Sequence, residues 1–158
     1  MPGKKLKKEL MNDLNLDHFV NHRIATVATL LKRQIFRIIA KNNLKITPDQ
    51  WIILHYLWEK NGLTVSELAQ KSRKDFANVT RIIDKLVKAG YAERYVNQND
   101  NRISHVYVLP KAEEIKEEIH KCWMESTEIS LQGINDSEQK LLLALLQKIE
   151  DNILVKMN

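Results

Sequence analysis

The stretch that most constrains this chain runs from Thr64 to Arg102, TVSELAQKSRKDFANVTRIIDKLVKAGYAERYVNQNDNR. Its periodicity predicts a short helix, a tight connection, a second helix, and two extended runs around a polar turn. Thr64 caps the first helix while Glu67 reaches back from three residues on, a capping box. Leu68 and Ala69 give that helix a small apolar face. Ser72-Arg73-Lys74 is a polar break, and Asp75 is a good N-cap for the second helix. Phe76, Val79, Ile82, Ile83, Leu86 and Val87 recur at helical spacing and predict one buried stripe. Ala89-Gly90 ends the helix, with Gly90 free to take the left-handed conformation after the cap. The pattern is that of a helix-turn-helix.

Asn78, Thr80, Arg81 and Lys85 fall off the apolar stripe, and Arg73 and Lys74 stand just ahead of the helix. Asn and Arg can each make two hydrogen bonds to a base edge, and an exposed helix fits the DNA major groove. Between Lys71 and Arg94 there are seven basic residues against three acidic ones, the excess that phosphate contact needs. On an unpatterned helix the same charges would read as a solvated face. The helix-turn-helix spacing instead assigns Asn78, Thr80 and Arg81 to bases, and Arg73, Lys74 and Lys85 to phosphates or groove edges.

After Gly90, the runs 91–96 and 102–109 flank five polar turn formers, Asn97 to Asn101, and predict a hairpin. A hairpin after a recognition helix is a wing. Arg102 at its tip suits a minor groove, where narrowing concentrates negative potential. Asp100 is expected to pair with Arg102 or Arg94 and hold the tip in shape.

These residues resemble the MarR (multiple antibiotic resistance regulator) family of winged-helix transcription factors. The matching pieces are Glu67-Leu68-Ala69, Val79-Thr80-Arg81 with Asp84 and Leu86, Gly90 with Glu93-Arg94, Asp100-Asn101-Arg102, and the closing Val108-Leu109. Pro110 stands where the family often has Thr. Asn101 replaces the usual middle Arg of the wing triplet, which removes one phosphate contact. The resemblance implies a mainly α fold with a small β-wing, and a homodimer built from the first and last helices. It also implies double-stranded DNA as partner, a pseudo-palindromic operator, repression, and release by a small molecule bound where the dimerising helices meet the winged unit. Trp51 and His55 share a helix face there and suit an aromatic or phenolic effector, although Trp51 also reads as core.

The flanking sequence agrees with this organisation. Residues 17–41 predict one long helix with a broad apolar face (Val20, Ile24, Val27, Leu31, Ile35 and Ile38, widened by Leu30, Phe36 and Ile39), closed by Asn42-Asn43. Thr47-Pro48-Asp49-Gln50 opens the next helix with a Thr cap, Pro at the first position and Gln at the third. Beyond the wing, 111–131 predicts an acidic helix, and Asn135 opens a last one carrying Leu141, Leu142, Leu145, Leu146, Ile149, Ile153 and Leu154. Such stripes outside a winged core predict a two-fold dimer, with two recognition helices about 34 Å apart. The expected organisation is therefore 45–110 for DNA, and 1–44 with 111–158 for dimerisation.

Composition limits the rest. The chain has 158 residues, a formal net charge of +5 and one cysteine, Cys122. It therefore suits a single domain, a polyanionic partner and a reducing cytoplasm, bacterial or archaeal by the resemblance. No run approaches a membrane span, and Lys4, Lys5, Lys7 and Lys8 precede no apolar segment of a signal peptide. His18 and His22 have a metal-compatible spacing but no further ligand nearby, so neither metal nor cofactor is expected. Cys122 beside Trp123 reads as a small buried hydrophobe. No phosphate loop, nucleophile elbow or metal-hydrolase signature marks an enzyme. The remaining alternative is a winged helix that binds protein, which would place apolar residues on the exposed side of the second helix.

Overall fold

The computed structural model describes Lys8 and residues 15–157. Lys8 is exposed, and Lys4, Lys5 and Lys7 lie outside the described residues. After a 3-10 turn, Leu16–His18, the elements are α1 (Val20–Lys41), α2 (Pro48–Glu59), β1 (Leu63–Thr64), α3 (Val65–Ser72), α4 (Phe76–Lys88), β2 (Ala92–Val96), β3 (Ser104–Val108), α5 (Pro110–Ser130) and α6 (Asp136–Met157). This is a mainly helical winged helix-turn-helix. The chain divides into two compact units after Ser126. No described helix is long and apolar enough to cross a membrane.

The helix starts follow from local chemistry. Thr47 with Gln50, and Thr64 with Glu67, each form a full reciprocal capping box. Asn135 Oδ1 accepts from the backbone N–H groups of Ser137 and Glu138 at the start of α6. α1 starts at Val20 rather than at residue 17, because the 3-10 turn, capped by Asn15, takes up the residues before it. Asn43 closes α1 in the left-handed region, at φ 58°, a conformation Asn tolerates better than most residues.

In the first unit, Ile35, Ile38 and Ile39 of α1 meet Ile53, Leu54 and Leu57 of α2, Leu68 of α3, Val79, Ile83 and Leu86 of α4, Val106 of β3, and Ile119 and Cys122 of α5 in one buried cluster. The α4 stripe is narrower than its period suggests. Val79, Ile82, Ile83 and Leu86 are buried, but Phe76 and Val87 are exposed. At about 100° per residue those two fall on the flank of the stripe, on the side of Thr80 and Asp84. On α1, Val20, Val27, Leu30, Leu31 and Phe36 remain exposed; on α6 no residue is buried.

The sheet has three strands in the order β1-β3-β2, all antiparallel. β2 and β3 are the predicted hairpin, paired from Ala92↔Val108 to Val96↔Ser104. β1 was not legible, since two residues are too few for a period. Gly62 leads into it at φ 79°, and a Cβ there would lie 2.8 Å from Tyr107 Cε1. Glycine is therefore favoured at this position by its left-handed conformation, while a Cβ would meet only the outer end of the Tyr107 ring.

Candidate nucleic-acid interface

The helix-turn-helix is pinned from several sides. Arg73 ends α3 in the left-handed conformation, φ 54°, and Asp75 Oδ1 caps α4 by accepting from Asn78 N at 2.8 Å. Tyr56 Oη of α2 donates to Lys71 O at 3.0 Å. Lys74 Nζ donates to Asp49 Oδ1 at 2.9 Å, while Lys32 Nζ of α1 donates to Asp49 Oδ2 at 2.7 Å. Burial pushes the Asp49 carboxyl up, but hydrogen bonds and charge from Lys32 and Lys74 outweigh it and hold the group below the usual carboxylate range.

Of the residues expected on DNA, Arg73, Arg81, Lys85 and Arg102 are exposed. Asn78 and Thr80 are half-buried, and Thr80 Oγ1 is shut off from solvent with no hydrogen-bond partner. Lys74 is drawn inward to Asp49 and is only 21% exposed. The helical period explains this spread: Arg81 points away from the buried stripe, whereas Asn78 and Thr80 lie on its two flanks.

The wing is braced differently from the sequence expectation. Asp100 neither pairs with Arg94 nor bridges to the Arg102 guanidinium; its Oδ1 accepts from Arg102 N at 3.0 Å, an Asx turn. Arg94 turns instead to Asp84 of α4, Nη2 to Oδ1 at 2.9 Å. That contact lies off hydrogen-bond geometry, since Arg94 Nη2 makes no hydrogen bond, so it is a charge pair between wing and recognition helix.

Trp51 and His55 belong to a packed aromatic cluster. Trp51 stacks on Trp123, ring centroids 3.9 Å apart, and on His55 at 5.1 Å, with His120 edge-on to Trp58 at 5.6 Å. Burial, then the charges of His55 and Lys116, push the His120 pKa down. Cys122 is buried, and burial followed by Glu125 and Glu118 raises its thiol above the ordinary range. His22 Nε2 lies 3.5 Å from Thr26 Oγ1. Among the described residues no group of three or more His, Cys, Asp or Glu is placed to hold a metal.

A cavity of about 770 Å³ opens elsewhere, between α1, the start of α2 and α4. Lys32, Arg33 and Arg37 of α1 face Arg81 and Lys85 of α4 across it, with Phe36 and Ile82 as apolar wall. Neither Trp51 nor His55 lines it. Sequence reasoning missed its α1 cations. The only signal was basic residues interrupting the polar side of α1, which reads equally as a solvated face.

Residues 46–104, which hold the helix-turn-helix and the turn of the wing, match the MarR family. The chain carries a MarR-family segment. Over 142 residues it is 25% identical to YsmB, an uncharacterized HTH-type transcriptional regulator of Bacillus subtilis, covering 89% of this chain and 96% of that one. A solved MarR protein from Peptoclostridium difficile superposes with a TM-score of 0.77 at 27% identity, covering 88% of this chain and 90% of that one. A mutant MarR from E. coli in complex with operator DNA gives a TM-score of 0.74 at 24% identity, covering 82% and 92%. Proteins of the MarR family are transcription regulators rather than enzymes.

Proposed function

We propose that this chain binds a pseudo-palindromic operator as a homodimer, represses from it, and is released by a small anionic effector. The observation that carries the reading is that α4 turns Arg81 and Lys85 outward while Arg94 anchors the wing to Asp84 of the same helix. One braced piece thus presents major-groove and minor-groove contacts together. Arg81 and Asn78 read base edges, with Thr80 at the margin. Arg73 and Lys85 meet phosphates, and Arg102 enters the minor groove. Lys74, held by Asp49, steadies the turn. The E. coli relative solved on operator DNA supports this docking. Such a regulator acts on DNA in the cytoplasm of a bacterium or archaeon.

In this reading residues 45–110 contact DNA, and the flanking regions 1–44 and 111–158 make the dimer. Exposed apolar side chains on α1 and along α6 support that assignment, because a second copy would remove them from water. The effector belongs in the α1–α2–α4 cavity rather than against Trp51 and His55. Its cations and the Phe36 wall suit an aromatic acid, which would occupy Arg81 and Lys85 and compete with DNA for them.

A winged helix that binds protein instead of DNA draws on one observation, the exposed Phe76, Tyr95 and Val96. Selection from a random duplex pool at ~150 mM salt, which suppresses purely electrostatic binding, separates the two readings. The expected result is an inverted repeat with half-sites about 10 bp apart. Enrichment of no sequence by a dimeric, folded protein would sink the DNA reading.

A further inference from the structure

Phe76 is the first residue of α4, and 53% of its surface is exposed. A single exposed apolar residue is ordinary on a protein surface; the position of this one is what carries meaning. It walls a groove of about 230 Å³ between the start of α3 and the wing, together with Ser66, Arg102 and Ile103. The first residues of a recognition helix are those that reach base edges. The apolar feature on the major-groove edge of the base pairs is the C5-methyl of thymine, which phenylalanine contacts. Exposed Arg73 stands three residues before Phe76, and exposed Arg81 five residues after it on the same helix.

We propose that Phe76 is a specificity-determining residue that reads the 5-methyl group of one thymine in each half-site. The inference rests on the DNA-reading function proposed above. It assigns sequence discrimination to a side chain whose spacing marks it as core, and it predicts a thymine requirement that Asn78 and Arg81 cannot supply.

The test uses the operator duplex recovered from the random pool, with each symmetric pair of thymines replaced in turn by deoxyuridine. That replacement deletes only the methyl groups. At one pair of positions the full-length dimer should bind about sixteen-fold more weakly, about four-fold for each methyl, the value of burying roughly one such group. Phe76→Ala should bind the unmodified operator more weakly by a similar factor and be indifferent to deoxyuridine at those positions. Phe76→Leu should retain part of the discrimination. A residue that merely props the wing would leave Phe76→Ala as sensitive to deoxyuridine as the parent, and that outcome overturns the inference. So does a parent protein indifferent to deoxyuridine everywhere, which would leave the DNA-reading function standing. Recovery of no operator removes both. An unchanged melting temperature for Phe76→Ala separates loss of reading from loss of fold.

Discussion

Lys74 in the turn of the helix-turn-helix donates to Asp49 at the start of α2, Nζ to Oδ1 at 2.9 Å, and Lys32 of α1 takes the other carboxylate oxygen. One carboxylate therefore joins three segments that are remote in sequence. Lys74 and Asp49 are 21% and 25% exposed, so the pair is shielded from solvent, whereas Lys32 is not.

Asp49→Asn should destabilise the fold by roughly 1–3 kcal/mol, because it leaves Lys74 half-buried without a counter-charge. Lys32→Met should cost less, about 0–1 kcal/mol. Urea midpoints would measure both. The pH dependence has a definite sign. The Asp49 carboxyl is held below its unfolded value, so its contribution is fully present above the ordinary carboxylate range and lost as pH falls through the folded pKa. Asp49→Asn should flatten that acid limb; an unaltered limb would show that the clamp contributes nothing.

Arg81 and Lys85 should fail differently. Arg81→Ala should cost roughly 1–3 kcal/mol on the operator and relax specificity at one base pair. Lys85→Ala should weaken all sequences alike and lower the salt slope by about one. Titrations on matched and scrambled duplexes at several salt concentrations separate them, and identical behaviour of the two variants would refute the division.

His120 should make the fold sensitive to mild acid. Burial, with help from His55 and Lys116, depresses its pKa. As pH falls below the unfolded value near 6.5, the unfolded chain takes up the proton first, so stability declines until the folded pKa is reached. Lys116 and His55 oppose the charged ring, while Glu59 lies 3.3 Å from His55 Nε2. Melting temperatures between pH 7.5 and 5 should fall more for the parent than for His120→Phe.

Leu145 is exposed and Ile149 half-buried on α6. Leu145→Lys with Ile149→Lys should give monomers on a sizing column and greatly weakened operator binding, since each half-site alone supplies only part of the affinity. A double variant that elutes as a dimer would place the dimer contact elsewhere.

The sequence by itself determined the helix starts capped by Thr47, Thr64 and Asp75, the helix-turn-helix and the hairpin. Thr64 with Glu67, Thr47 with Gln50, and Asp75 with Asn78 are interactions between residues three apart, so a linear reading contains their full geometry. The α4 stripe was legible at its centre and not at its flank. Periodicity gives the direction of a side chain but not how far the neighbouring elements reach around to cover it, and Phe76 and Val87 fall just beyond that cover. Tertiary structure alone decided that Lys74 turns to Asp49, that Arg94 seeks Asp84 rather than Asp100, that β1 completes the sheet, and that α1 lends Arg33 and Arg37 to a cavity shared with Arg81. Those outcomes depend on Cartesian distance between segments set by packing of the common core. Charge pairing weakens with separation in space, irrespective of separation along the chain.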